Sequence, residues 1–561
     1  MARTPVPTHW FNVNAAIPEL YEPYVDPETN DPVTDQALEE LFAPELVAQE
    51  VNRADTWLPI PEEVLRRLST WRPTPLLRAR GLEAALDTRC RILYKYEGAS
   101  PIGSHKANSG VAQAYFTKRS GRDRVYAETG AGQWGSAISL GSAFNGLGCS
   151  VFMVGSSFDS KPSRRILMET FGSTVERSPT EHTDAGRSER ARTPDSTGGL
   201  GLAIAEAVEA TKADPAASYA LGSAFGFVCL HQTIIGQELK DQLVDAGVEA
   251  DVLISCIGGG SSFGGVIFPF LTDPPGRRPE LIAAESNAVP KVTRGEFTYD
   301  HGDSSGLTPL IKMYTLGHKF APPSIHSGGL RYHGLAPQVS KLINLGMGRA
   351  EAYAQLEIFD AATLFARTEG IVPAPEAAHG IAAACHYATK HRDEERTVVF
   401  CLTGHGFFDL PAYQTYLTGN MEDSDTPDDL IEKSLSGLSR VSGTRPTSLA
   451  SGRDTAFAGW QRRHAGARTS PPRRGDRDSP AARAGATSPL GRVSRADGDR
   501  AASAADSTVT DLTGAQVVTE RTLGGCAPDT TVIVVQPGAV LTPSARSELR
   551  RRGIAVRNNE R

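Results

Sequence analysis

The sequence predicts an α/β protein built on parallel sheets with both faces covered. Three observations carry this. Short apolar runs alternate with helix-like segments up to about residue 430. Several of those runs are almost continuously apolar, as strands buried on both faces are. Glycine-rich loops follow several of them, where parallel strands hand over to helices.

Val151-Phe152-Met153-Val154 reads as a short strand, and residues 164–171 as a helix stopped by Gly172. Residues 251–257 form a near-continuous apolar strand ahead of Gly258-Gly259-Gly260. Leu281-Ile282-Ala283-Ala284-Glu285 is another strand. Residues 351–369 read as one long helix with Gly370 as its C-terminal cap. Residues 397–402 are a last strand, ending at Thr403-Gly404.

At 561 residues the chain exceeds one compact core, and two or three domains are expected. Composition changes near residue 434. The stretch 434–505 holds 13 Arg and 5 Asp with no Lys or Glu, a balance of +8, which leaves −15 on the remainder. We therefore expect a catalytic region over residues 1–433 and a disordered Arg/Ser/Ala/Pro-rich linker over 434–507, too poor in aliphatic residues to offset its ordering entropy. A small C-terminal α/β segment follows over 508–561. In it Thr531-Val532-Ile533-Val534-Val535 reads as a strand, Pro537-Gly538 as a turn and residues 543–552 as a helix stopped by Gly553. No internal repeat is evident.

The acidic main body argues against nucleic-acid binding. No apolar run is long enough to span a membrane and no secretory signal is visible. The seven widely spaced cysteines form no C-x-x-C or zinc pattern and read as buried, reduced thiols of a cytoplasmic protein.

The chemistry centres on Lys106, which we place in a loop of small residues, Gly103-Ser104-His105-Lys106-Ala107-Asn108-Ser109-Gly110. Most lysines are solvated surface charges. One in a permissive loop, able to shed its charge, forms imines with carbonyl cofactors. Glu128-Thr129-Gly130-Ala131-Gly132-Gln133-Trp134-Gly135 is a strand-to-helix turn or, functionally, a loop whose N–H groups from Thr129 to Trp134 bind an amino-acid carboxylate beside an acid/base, Glu128. Gly258-Gly259-Gly260-Ser261-Ser262 is a plain turn or a phosphate cradle. Thr403 caps the next turn or sets a neutral hydroxyl against a pyridine nitrogen. An imine-forming amine, an acid/base and a phosphate cradle are what pyridoxal phosphate chemistry requires.

Together these residues resemble the tryptophan synthase beta chain family, in its second, longer type. The resemblance covers roughly residues 6–420. It includes Trp71-Arg72-Pro73-Thr74-Pro75-Leu76, Lys161-Pro162-Ser163-Arg164-Arg165, His231-Gln232-Thr233, Gly328-Gly329-Leu330-Arg331-Tyr332-His333-Gly334, Gly370-Ile371-Val372-Pro373-Ala374-Pro375-Glu376 and Thr403-Gly404-His405-Gly406. It implies a fold-type-II pyridoxal-phosphate enzyme of two α/β domains with the cofactor between them. Lys106 would be the Schiff-base lysine, with His105 beside the cofactor and Gly258, Gly259, Gly260, Ser261 and Ser262 on its phosphate. Gln133 would lie near the ring hydroxyl, Glu376 near the pyridine and Thr403 against its nitrogen.

The resemblance further implies that indole displaces the hydroxyl of L-serine, with Lys106 taking the Cα proton and Glu128 moving protons at the leaving hydroxyl and the indole nitrogen. It implies a mobile part over about 121–215, a monovalent cation (Na+ or K+) and a homodimer. Three positions depart from the first type. Ser262 replaces the usual Asn, Thr403 the usual Ser, and Arg331 stands where an Asp is found near the substrate hydroxyl. A cation at Arg331 suits an anionic leaving group, so O-phosphoserine competes with L-serine as the donor. The same residues would also serve serine or threonine deamination, replacement with another nucleophile, or a non-catalytic scaffold. The long N-terminal region weakens the case for pairing with an alpha chain.

Overall fold

The computed structural model describes residues 4–438, 509–514, 517–536 and 539–558. The chain divides into two compact units, the larger containing residues 4–438 and the smaller most of residues 509–558.

The larger unit is built on two sheets. The first has six strands in the order Arg349–Tyr353, Glu280–Ser286, Val252–Cys256, Thr397–Leu402, Arg91–Tyr96 and Leu76–Arg78. All neighbours are parallel except the last pair. The second has four parallel strands in the order Thr174–Ser178, Gly148–Val154, Arg124–Thr129 and Ala217–Ala220. Val252, Leu253 and Ile254 are fully buried, as a central strand covered on both faces requires. Helices Ala107–Arg119 and Gln133–Asn145 pack against each other, so the Lys106 and Glu128 segments converge.

The N-terminal region belongs to this core. Strand His9–Phe11 pairs antiparallel with Trp57–Pro59, and Trp10 and Phe11 are buried in the main cluster with Phe42, Phe225 and Phe227. The Glu50 carboxylate accepts the N–H groups of Gly226 (2.9 Å) and Phe227 (2.6 Å), satisfying orphan donors at the start of helix Gly226–Asp245.

Most expected elements stand near their anticipated bounds: Gly148–Val154, Pro162–Thr170, Val252–Cys256, Glu280–Ser286 and Thr397–Leu402. Gly370 takes the left-handed conformation (φ 74°) at the end of its helix. Two expectations need correction. The helix expected over 351–369 begins at Gln355, because Arg349–Tyr353 is recruited as a parallel strand beside Glu280–Ser286. Residues 107–110 are not loop but the opening of helix Ala107–Arg119, with Lys106 at its N-cap.

Helix Asp428–Ser436 crosses the anticipated boundary at 433/434, and the remainder of the expected linker from 439 lies outside the described residues. The smaller unit has a three-stranded parallel sheet, Val509–Leu512, Val532–Val535 and Ala555–Asn558 in that order, and helix Pro543–Arg552. The anticipated turn at Pro537-Gly538 lies outside the described residues. Contrary to the sequence reading, this unit is a repeat. Val509 pairs with Val532, Val517 with Val540 and Val532 with Ala555, a constant offset of 23 residues. All seven cysteines are buried and unpaired. No described helix is long and apolar enough to cross a membrane.

Candidate active site

Lys106, at the start of its helix, is half-buried, and Nζ donates to the Gly222 carbonyl at 2.9 Å. Burial lowers its pKa, opposed mainly by the Glu128 and Glu376 carboxylates. His105 is buried. Its N–H donates to the Thr403 carbonyl at 3.0 Å, and Nδ1 lies 3.4 Å from the same oxygen. Burial and then the Lys106 charge push the imidazole down to about 3, so it is neutral. Its Nε2 is buried with no hydrogen-bond partner.

Two residues into the Lys106 helix, Asn108 is gripped by a buried charge network. Arg72 Nη1 donates to Asn108 Oδ1 (2.9 Å) and Glu97 (2.9 Å), while its Nε reaches Glu238 (2.8 Å). Lys95 closes the network on Glu238 at 2.8 Å. Burial would raise the Glu97 pKa, but Arg72 and Lys95 outweigh it and hold that carboxyl at about 2. Two cations and two anions, each hydrogen-bonded, satisfy the condition for burying charge.

Glu128 is the penultimate residue of strand Arg124–Thr129 and is 4 % exposed. Burial pushes its carboxyl up to about 7, against the opposing effects of the Tyr219 hydroxyl, the Glu128 and Gly222 N–H groups and Lys106. Gly222 therefore lies beside both groups, its carbonyl accepting from Lys106 and its N–H favouring the ionised form of Glu128.

In the following loop, Thr129 Oγ1 accepts the N–H groups of Gly132 (3.2 Å) and Gly135 (3.1 Å). The Gly132 N–H is thus committed to the loop itself, which corrects the expectation that every N–H from Thr129 to Trp134 faces a substrate. Gly132 needs its left-handed φ of 92° to enter helix Gln133–Asn145. Gly130 lies close under the Gly328 carbonyl, and Ala131 packs against Gly328. The Trp134 indole N–H donates to Ala220 O at 3.1 Å. Gln133 Nε2 donates to Glu376 Oε2 at 2.9 Å, and Glu376 Oε1 accepts the Gly329 N–H at 2.8 Å. Gln133, Glu376 and the 328–330 turn thus close over one side of the site.

The glycine loop at 258–262 follows strand Val252–Cys256. A Cβ on Gly258 would lie 2.3 Å from the Gly329 carbonyl, and one on Gly259 2.2 Å from Ser223 Oγ. Gly260 has a φ of 95° and caps helix Ser261–Ile267. No room is left for a side chain at Gly258 or Gly259, so the backbone itself lines this part of the site. The Ser262 hydroxyl lies 2.6 Å from Ser255 Oγ, so that side chain is already engaged behind the loop. Thr403 follows strand Thr397–Leu402, and Oγ1 lies 3.6 Å from Cys256 Sγ. Burial pushes the Cys256 thiol up to about 12, so the partner of Thr403 is a neutral thiol.

One candidate stands apart. Arg331 Nη1 donates to Ser156 Oγ (3.2 Å) and Nη2 to Pro322 O (3.1 Å), while Nε is buried without a partner. Its guanidinium makes no hydrogen bond to the Lys106, Glu128 or glycine-loop residues. The sequence reading also missed Tyr219, whose hydroxyl donates to Glu128 Oε2 at 2.6 Å, and Arg164, which is buried against Gly132. Arg164 lies in the Lys161-Pro162-Ser163-Arg164-Arg165 motif, but nothing in the sequence marks Tyr219.

A half-buried lysine with a lowered pKa, an unpartnered imidazole nitrogen beside it and a glycine loop fit pyridoxal phosphate. Comparison with known proteins agrees. The family model for pyridoxal-phosphate dependent enzymes matches residues 68–404. The tryptophan synthase beta chain 2 of Aquifex aeolicus is 52% identical over 425 residues, 74% of this chain and 98% of that one. Its namesake in Thermotoga maritima is 50% identical over 411 residues, covering 73% and 97%. That of Pyrococcus abyssi is 48% identical over 434 residues, covering 76% and 98%. The chain belongs to the pyridoxal-phosphate dependent enzymes and, within them, to the tryptophan synthase beta chains.

Proposed function

We propose that the chain condenses L-serine with indole to give L-tryptophan and water. The observation that carries this reading is the meeting, beside Gly222, of a half-buried lysine amine with a buried carboxyl raised to about 7. Bound pyridoxal phosphate supplies an electron sink conjugated to the Cα of the amino acid. Lys106 holds the cofactor at rest and, once freed, its amine takes the Cα proton. The N–H groups of Gly130, Ala131, Gln133 and Trp134 bind the serine carboxylate, with Thr129 and Gly132 shaping that loop. Glu128 gives a proton to the departing β-hydroxyl, which leaves as water, and takes one from the indole nitrogen as C3 bonds to Cβ.

His105, neutral, flanks the cofactor. Gly258, Gly259, Gly260, Ser261 and Ser262 would hold the phosphate, Gln133 and Glu376 would brace the ring, and Thr403 would offer it a neutral hydroxyl. The segment 121–215, which contains most of the four-stranded sheet, closes over the substrate and excludes water. A monovalent cation supports the site.

The test is spectroscopic and kinetic. Wild type should gain a visible absorbance band with pyridoxal phosphate and form tryptophan from serine and indole; Lys106→Ala should do neither. A band that survives in Lys106→Ala overturns the lysine assignment. Pyruvate forming as fast with indole as without it points to a deaminase instead.

The buried, unpartnered Arg331 Nε supports a second reading, in which O-phosphoserine is the donor and Arg331 meets its phosphate. A higher kcat/KM for O-phosphoserine than for L-serine, lost in Arg331→Met, would favour it. We also propose a homodimer. Leu410 and Leu417, seven residues apart on helix Leu410–Leu417, are both exposed, as is Phe407 just before it, an apolar face suited to a second copy. The free, buried thiols accord with a reducing cytoplasm.

A further inference from the structure

Tyr219 lies on the four-residue edge strand Ala217–Ala220, beside the strand that ends in Glu128 and Thr129. Its hydroxyl donates to Glu128 Oε2 at 2.6 Å, and the pair is buried, at 2 % and 4 % exposure. The strand is held from outside by the N-terminal region. The Tyr219 N–H donates to the Leu41 carbonyl at 2.7 Å, and the Phe42 ring packs 5.7 Å from the Tyr219 ring. Leu41, Phe42 and Tyr219 also wall a small apolar cavity with Ile204, Leu221 and Tyr332. One side chain thus touches the acid/base and an apolar space beside it.

We propose that Tyr219 is a positioning residue for the reaction: its hydroxyl pins one oxygen of Glu128, leaving the other for proton transfer. This rests on the reading of Glu128 as the proton-transfer group. A carboxylate turns readily about its last torsion, and a buried hydroxyl donor fixes it in one orientation. A donor to the ionised form also stabilises that form and works against burial.

The groups facing Glu128 come from every packed element. Lys106 approaches from the head of its helix, Tyr219 and the Gly222 N–H from the edge strand and the turn after it. The neighbouring strand sets apolar Phe152 opposite Glu128. Tyr332 and Asp303 lie beyond Tyr219, and burial holds the Tyr332 phenol neutral. Tyr219 therefore supplies the side-chain hydroxyl bond that favours ionised Glu128.

The test uses Tyr219→Phe, which keeps the ring and the cavity wall and removes only the hydroxyl. The pH dependence of kcat/KM for indole is compared in wild-type holoenzyme, Tyr219→Phe and Glu128→Gln. Without the hydroxyl the acid limb should move up by about one pH unit, so that activity at pH 7 falls about fivefold. The KM for serine and the absorbance of bound cofactor should stay unchanged. A limb lost in Glu128→Gln but unmoved in Tyr219→Phe overturns the role of Tyr219 alone. A limb that survives in Glu128→Gln overturns the assignment of Glu128 and the role of Tyr219 with it.

Discussion

Lys161 Nζ lies 2.6 Å from Asp409 Oδ1, in an ion pair whose side chains are 10 % and 2 % exposed. Lys161 immediately precedes helix Pro162–Thr170, on the four-stranded half; Asp409 follows the last strand of the six-stranded sheet. Arg164, three residues on, crosses the same boundary. Its Nη1 donates to Ile102 O at 3.1 Å and its guanidinium lies 4.1 Å over the Phe408 ring. The Arg164 methylenes press on Gly132, where a Cβ would come within 2.7 Å. Two cations thus tie the halves together behind the 129–134 loop.

Lys161→Met should loosen that tie. Removing one partner of a buried pair leaves the other uncompensated, at a cost of about 3–5 kcal/mol. The expected functional result is leakage: water reaches the reacting serine, and the ratio of pyruvate to tryptophan rises several-fold at saturating indole. An unchanged ratio alongside a lowered Tm would make the pair purely structural.

Glu128→Gln should separate stability from activity. The unfolded carboxyl ionises near 4.5 and the folded one near 7, so the folded protein holds an extra proton between those values. Stability therefore falls as pH rises through that window, and the deficit, about 3 kcal/mol, is complete above pH 7. Glutamine stays neutral throughout. The cofactor-free variant should melt higher than wild type at pH 8 and equally at pH 4.5, while tryptophan formation falls ~10²–10⁴-fold. Equal melting at both pH values would mean that burial does not penalise ionised Glu128.

What could be read from the sequence follows from locality. Lys106 and the loop at 258–262 were legible because close backbone approach demands glycine, and glycine runs are visible in a sequence. Strand Val252–Cys256 was legible because burial on both faces forces an unbroken apolar run. Arg349–Tyr353 was not, since Arg-Ala-Glu-Ala-Tyr carries good helix formers and becomes a strand only by pairing with Glu280–Ser286. Tyr219 was hidden for the same reason: its bond to Glu128 spans 91 residues and depends on how two strands register. The 23-residue repeat was hidden because each shared aliphatic stretch is only two to four residues long and is broken by mismatches such as Asp511 facing Val534.

Gly258→Ala should weaken cofactor binding. Its Cβ would meet the Gly329 carbonyl at 2.3 Å, a backbone atom on a turn whose N–H is bound to Glu376. Relief requires that turn to shift, at about 1–3 kcal/mol, or roughly 10–100-fold in pyridoxal phosphate affinity by absorbance titration. Gly276→Ala, where a Cβ meets nothing within 4 Å, should bind as wild type and melt no lower. Equal affinities for the two variants would remove the glycine loop from the cofactor site.

Two truncations should bracket the end of the catalytic region. The Aquifex relative is matched over 98% of its length by 425 residues of this chain, which leaves the tail without a counterpart in it. Helix Asp428–Ser436 nevertheless belongs to the core. Ile431 is buried with Ala288, Val289, Leu316, Phe320 and Ile325, and the Thr426 hydroxyl donates to Ala288 O at 2.7 Å. Ending the chain after Gly437 should leave Tm and kcat within error of the full-length protein. Ending it after Asp425 removes the buried Ile431 and the Thr426 bond, and should destabilise by about 3–5 kcal/mol, lowering Tm by several degrees. A loss of kcat in the chain ending after Gly437 would give residues 438–561 a part in catalysis that the geometry of the Lys106 site does not require.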